Sequence, residues 1–163
     1  MNAPHWTDHL LALAQRDQPG AAFASFAAIA QVTVGFVLLT VTLHDPRTGL
    51  MRRVFSTNED VYPVGGFKPV RQTKFTEATL GRRVPFIAQT AAELSEVFLD
   101  HDKMAALGCA SICNVPVEID GEVAGTYNLS GTENYFDPPR IAAALDLRPY
   151  IIPAFLLIRP EPI

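Results

Sequence analysis

The chain has 163 residues, 48% of them hydrophobic and 18% charged, which suits one globular domain and excludes a disordered chain. A net charge of −4 argues against a basic nucleic-acid surface. Two cysteines are too few for a disulfide framework, so a reducing cytoplasm is the expected compartment.

The N-terminal residues Met1-Asn2-Ala3-Pro4-His5-Trp6 lack the basic segment and apolar run of a signal peptide. Pro4 to Asp17 reads as an amphipathic helix with Trp6, Leu10 and Leu13 along one side. From Gln18 to Leu43 no residue is charged, a length that could cross a bilayer. The run changes character midway, however. Ala21 to Gln31 is Ala-rich with Phe23, Phe26 and Ile29 at helical spacing, and Val32 to Leu43 is rich in β-branched residues. A buried helix followed by a strand accounts for both halves, so no membrane span is expected.

The strand, Val34 to Leu43, alternates. Val37, Leu39, Val41 and Leu43 form an apolar face, while Phe36, Leu38, Thr40, Thr42 and His44 form one that turns polar. Asp45-Pro46-Arg47-Thr48-Gly49 is a turn, and Met51 to Ser56 returns as partner strand. Tyr62-Pro63-Val64-Gly65-Gly66 reads as loop. Thr73 to Leu80 reads as a short helix closed by Gly81, and Val84 to Ala88 as a brief strand. Thr90-Ala91-Ala92-Glu93 matches a capping box and opens a helix with Leu94, Val97 and Phe98 inward. A helical turn from Asp102 to Leu107 ends at Gly108. Cys109 to Ile119 and Glu122 to Ser130 are strands joined by the hairpin signal Asp120-Gly121. Asp137-Pro138 caps a final helix reaching about residue 158, which Pro149 and Pro153 break or kink.

The stretch Leu107-Gly108-Cys109-Ala110-Ser111-Ile112-Cys113-Asn114-Val115-Pro116-Val117, followed by Asp120-Gly121-Glu122-Val123-Ala124-Gly125-Thr126-Tyr127-Asn128-Leu129, resembles the C-terminal hairpin of GAF domains. Tyr62-Pro63-Val64-Gly65-Gly66-Phe67-Lys68-Pro69-Val70 is similar to a small bacterial subgroup of single-domain GAF proteins. The resemblance implies one α/β (α+β) domain over residues 1–163. Its central antiparallel sheet of about six strands (residues 32–131, with the pocket insertion) would carry helices of residues 1–31 and 137–158 on one face. A mixed helix and loop insertion would cover the other. It also implies a ligand pocket between sheet and insertion, in a family that binds cyclic nucleotides, tetrapyrroles, amino acids and small aromatics.

On that basis Thr40, Thr42, Phe67, Lys68, Arg71, His101, Cys109, Ser111 and Asn128 are the candidate ligand-contacting residues. Lys68 and Arg71 are donors suited to a carboxylate or phosphate, or else solvated surface charge. Thr40, Thr42, Ser111, Asn114 and Asn128 are polar residues within apolar strands, and buried polar groups need partners. Ser111 and Asn114 point to opposite faces, so these residues cannot all line one site. Within Asp100-His101-Asp102, adjacent helical residues do not converge, and His101 alone is placed near a ligand.

His5 and His9 have helical chelate spacing, but an exposed terminal helix makes them weak metal ligands. Cys109 and Cys113 lie roughly 13 Å apart if both are on one strand, with side chains on one face, too far for a disulfide between them. Buried core cysteine is the expected role. No catalytic residue, metal or cofactor is expected.

The expected function is a small-molecule-binding sensory or regulatory module for a small polar or anionic ligand. With no output segment in the sequence, it would signal through a separate effector or through a homodimer built on the N- and C-terminal helices. Two alternatives stay open. One is a thiol-based reductase resembling the free methionine sulfoxide reductases, using Cys109 or Cys113. The other is a structural protein whose vestigial pocket is filled by Phe67, Phe86 and Phe98.

Overall fold

In the computed structural model, which describes residues 6–159, the strands are β1 (Leu38–Asp45), β2 (Leu50–Ser56), β3 (Gly65–Pro69), β4 (Phe86–Ala88), β5 (Ser111–Ile119) and β6 (Glu122–Gly131). They form one six-stranded sheet in the order β3-β2-β1-β6-β5-β4, every neighbouring pair antiparallel. Asp120 (φ 53°) and Gly121 (φ 77°) both take the left-handed conformation that a two-residue hairpin turn requires, which locks β5 onto β6.

Alternation gives the sheet two unlike faces. Leu39 and Val41 of β1, Cys113, Val115 and Val117 of β5, and Tyr127 and Leu129 of β6 point to one side. That side is covered by α2 (Gly20–Thr33), α6 (Pro138–Asp146) and α7 (Arg148–Leu156), with α1 (Trp6–Ala12) packed on α2. In α2 the small residues Ala22, Ala27 and Ala30 let the helix approach the sheet, while Phe23, Phe26 and Ile29 fill the space between. Each such large side chain contributes about 1.5–3 kcal/mol by leaving water. Tyr127 donates its hydroxyl to the Ala144 carbonyl, satisfying the phenol within the core. Asp137 caps α6 by accepting from Arg140 N–H. α6 and α7 are separate helices that meet at Leu147, with Pro149 in the first turn of α7.

The uncharged run from Gln18 is thus divided between α2 and β1, and among the described residues no helix is long and apolar enough to cross a membrane.

The opposite face is covered by α3 (Lys74–Thr76), its π-helical continuation Glu77–Gly81, α4 (Ala91–Ser95) and α5 (His101–Ala106). A smaller core of Leu38, Tyr62, Ala88, Leu94, Met104, Cys109 and Ile112 joins them to the sheet. Thr90 caps α4 by accepting from Glu93 N–H, and Glu93 accepts in return from Gln89 N–H.

Three local expectations are corrected. Gly65 and Gly66 belong to an edge strand rather than a loop, because β3 hydrogen-bonds to β2 alone and is exposed throughout. Val37 lies before β1 and is exposed. Cys109 lies before β5 and packs in the smaller core, whereas Cys113 packs in the larger one, so the two thiols occupy opposite sides of the sheet.

Candidate functional site

Between the sheet and the covering segment of residues 61–104 lies a cavity of about 860 Å³. Its floor is the polar face of the central strands: Thr40 and Thr42 of β1, Asn114 of β5, and Asn128 and Ser130 of β6, with Leu38 and Ile112. Asn114 Nδ2 donates to Asn128 Oδ1 (2.6 Å), and Asn128 Nδ2 donates to Thr40 Oγ1 (3.2 Å) and Thr42 Oγ1 (3.3 Å). Asn114 Oδ1 is buried and, among the described residues, has no partner. The roof is apolar, carrying Phe75, Val97, Phe98 and Met104.

One end is strongly basic. Among the described residues Arg53, Lys68, Arg71 and Lys103 line the cavity against a single acid, Asp100, while Arg52 borders it with its guanidinium over Phe67 on the opposite face of the sheet. The register from the turn pairs Thr42 with Arg53, so Arg53 shares the cavity face, and the bulge that follows at Val54 pairs Val41 with Phe55 and sends that ring to the helix-covered face. Arg53 lies over the ring of Tyr62 at 5.0 Å and donates to the Pro63 carbonyl at 3.0 Å. Lys103 Nζ lies over the same ring at 5.6 Å. Burial and the nearby Asp100 carboxylate push the Tyr62 phenol above its ordinary pKa, yet among the described residues the phenol has no partner in hydrogen-bond geometry. Burial lowers the Arg53 guanidinium from its ordinary value, opposed by Asp100 and Tyr62.

Of the sequence candidates, the structure brings Thr40, Thr42, Lys68, Arg71 and Asn128 to this cavity and leaves four outside its lining. Ser111 points to the helix-covered face, where its Oγ donates to the Thr132 carbonyl at 2.6 Å. Phe67 lies on the other side of β3 from Lys68, its ring beneath the Arg52 guanidinium. His101 turns away to Asp102 (3.4 Å), and its neighbour Asp100 lines the cavity instead. Cys109 is buried beside Leu94 and Met104.

The cavity is also lined by Arg53, Tyr62 and Lys103, which are not among the expected contacts, and by Asp100 and Asn114, which the sequence singles out without assigning them to a ligand. Pairing the polar end of β1 with its hairpin partner was the signal available for Arg53.

Phe75, Phe86 and Phe98 form an aromatic cluster with centroids 5.8–6.3 Å apart, but the cavity beside them stays open. Burial raises the Cys109 thiol to about 11 and the Cys113 thiol to about 12, so both stay protonated near neutrality and neither is an activated nucleophile. His5 lies outside the described residues. His9 is buried, with Nε2 donating to the Tyr150 carbonyl and Nδ1 on Ser25 Oγ, so both ring nitrogens are engaged. Among the described residues no cluster of three or more His, Cys, Asp or Glu is placed to hold a metal ion.

This arrangement of sheet and helices recurs in solved structures. The GAF domain of a two-component sensor histidine kinase from Bacillus halodurans superposes with a TM-score of 0.66 at 12% identity, covering 81% of this chain and 90% of that one. The chain has the GAF fold. The GAF domain of an Acinetobacter phosphoenolpyruvate-protein phosphotransferase matches at TM-score 0.66 and 12% identity, over 93% of this chain and 90% of that one. The free methionine-R-sulfoxide reductase from Neisseria meningitidis, solved with its substrate, matches at TM-score 0.62 and 13% identity, over 93% and 86%. No family model and no curated protein matches the chain. At these identities the likeness of the GAF folds is one of architecture, and the chemistry rests on this chain's own residues.

Proposed function

We propose that the chain is a ligand-binding regulatory module whose cavity takes a small organic anion. The observation that carries this is the charge of the cavity. Among the described residues four basic side chains, Arg53, Lys68, Arg71 and Lys103, line it against one acidic side chain, in a chain whose net charge is −4. Low-dielectric walls focus that positive potential, and the apolar roof favours an organic body over a bare ion. Polar side chains on the floor supply the fixed hydrogen-bonding groups that orient such a ligand.

The test is native mass spectrometry of the purified protein, then thermal denaturation against a panel of small carboxylates and phosphates with their neutral amides and alcohols. A true ligand at a hundred times its Kd adds about 2.7 kcal/mol to stability. The expected result is stabilisation by acids and not by their neutral counterparts, diminished by K68A and R71A. Stabilisation by neutral and anionic members alike would remove the proposal.

We also propose that two copies pair through the terminal helices, where Leu10, Leu11, Val32 and Leu156 are exposed. Light scattering is the check. A dimer that L11K weakens is expected, and a monomer at every concentration would exclude pairing.

A further inference from the structure

Two hydrogen-bond donors in the cavity wall are buried without an acceptor. Among the described residues, Arg53 Nε and the Tyr62 hydroxyl have no partner, although both residues line the cavity. Tyr62 is 5% exposed. An orphaned buried donor costs free energy that an arriving acceptor recovers. The two groups are stacked, the guanidinium carbon standing over the phenol ring 5.0 Å from its centroid. Their supports are independent. The Pro63 carbonyl fixes Arg53 through Nη1, and Lys103 from α5 packs on the Tyr62 ring. The Asp100 carboxylate acts on both groups but stands outside hydrogen-bond geometry to either, so the Nε edge and the hydroxyl have no acceptor among the described residues.

We infer that Arg53 Nε and the Tyr62 hydroxyl form a subsite that takes the acidic group of the ligand, a carboxylate or a phosphate monoester, each donor meeting one oxygen. The inference rests on the anionic-ligand reading and moves its anchor inward from the rim. Lys68 and Arg71 are exposed and attract the anion through screened, long-range charge. Arg53 is half-buried, so its hydrogen bond forms in a medium where charge-assisted bonds are stronger. Asp100 lies close enough to act on both groups, so its carboxylate opposes the incoming acidic group and limits how tightly the subsite holds it.

The experiment is an NMR titration of the full chain that follows the Arg53 Nε–Hε resonance, with benzoate, phenyl phosphate and neutral benzamide as probes. Benzoate and phenyl phosphate should each shift that resonance saturably, and the larger response of the two distinguishes a carboxylate from a phosphate subsite. Y62F keeps the ring and its stacking on both cations but removes the donor. It should weaken the preferred probe about tenfold, as expected for a hydrogen bond to a charged group. The K68A/R71A double variant should weaken it only a few-fold, and salt should abolish that difference.

Unchanged probe affinity in Y62F, or saturation without movement of the Arg53 Nε–Hε resonance, overturns the subsite and leaves the anionic-ligand reading standing. Benzamide binding as tightly as benzoate, or no response to any probe at high millimolar concentration, removes that reading and the subsite with it.

Discussion

Asn114 of β5 donates to Asn128 of β6 across 2.6 Å, at a position where the two strands are in direct register. Both side chains are nearly closed to solvent, and Asn128 passes the network on to Thr40 and Thr42. N128A would leave the Asn114 amide without its acceptor and both threonine hydroxyls without their donor. A loss of about 1–3 kcal/mol in unfolding free energy is expected, with unchanged denaturant slope, from urea titration. The double variant with N114A should lose less than the sum of the singles, because the pair acts as a unit.

Gly125 marks where β6 passes closest to β1. A Cβ there would stand 2.0 Å from the Thr42 carbonyl oxygen and 2.8 Å from Phe155. The oxygen belongs to the strand backbone, so relief requires moving β1 and the core beneath it. G125A should destabilise by about 1–3 kcal/mol or more. G20A at the start of α2 meets nothing within 4 Å, and should be neutral or slightly stabilising. Thermal unfolding of the two variants side by side is the check, and equal melting temperatures would refute the packing argument.

The order of elements was legible because periodicity and punctuation agree over most of the chain. Thr40 and Thr42 on one face and Leu39 and Val41 on the other follow from simple alternation. The basic end of the cavity was not legible for the same reason. Pairing counted from the turn sets Arg53 opposite Thr42, but alternation along Met51 to Ser56 groups it with the apolar Phe55, and the bulge at Val54 is what parts those two residues. Tyr62, Asp100 and Lys103 come from three points in an irregular segment and are joined by tertiary packing. β3 escaped notice because an exposed edge strand has no buried face to impose a pattern.

Burial holds several acids in their neutral forms, and this sets an alkaline limit. Cys109 and Cys113 are raised from 9.0 to about 11 and about 12, and burial also raises the Tyr62 and Tyr127 phenols. A raised folded-state pKa favours the fold fully below the unfolded value. That contribution then falls away as pH climbs through the folded value. Stability should therefore be level to about pH 8 and fall progressively between about pH 9 and pH 12. Urea midpoints across that range measure it. Thiol labelling at pH 8 should proceed only as fast as the protein opens, and immediate labelling of the native chain would contradict the burial of both cysteines.

His9 ties the first helix to the rest of the molecule. Its Nε2 donates to the Tyr150 carbonyl at 2.7 Å, its Nδ1 lies 3.1 Å from Ser25 Oγ, and the side chain is 1% exposed. α1 has only 7 residues, too short to hold its shape by local hydrogen bonds alone. H9A removes both bonds and leaves a void beneath α1, so amide protection in residues 6–12 should collapse while that of β1, β5 and β6 persists. Hydrogen exchange followed by residue separates these responses. Undiminished protection in α1 would mean that the Trp6–Tyr150 stack, with centroids 3.8 Å apart, suffices to hold the helix. H9A/Y150A would then be the variant that releases it.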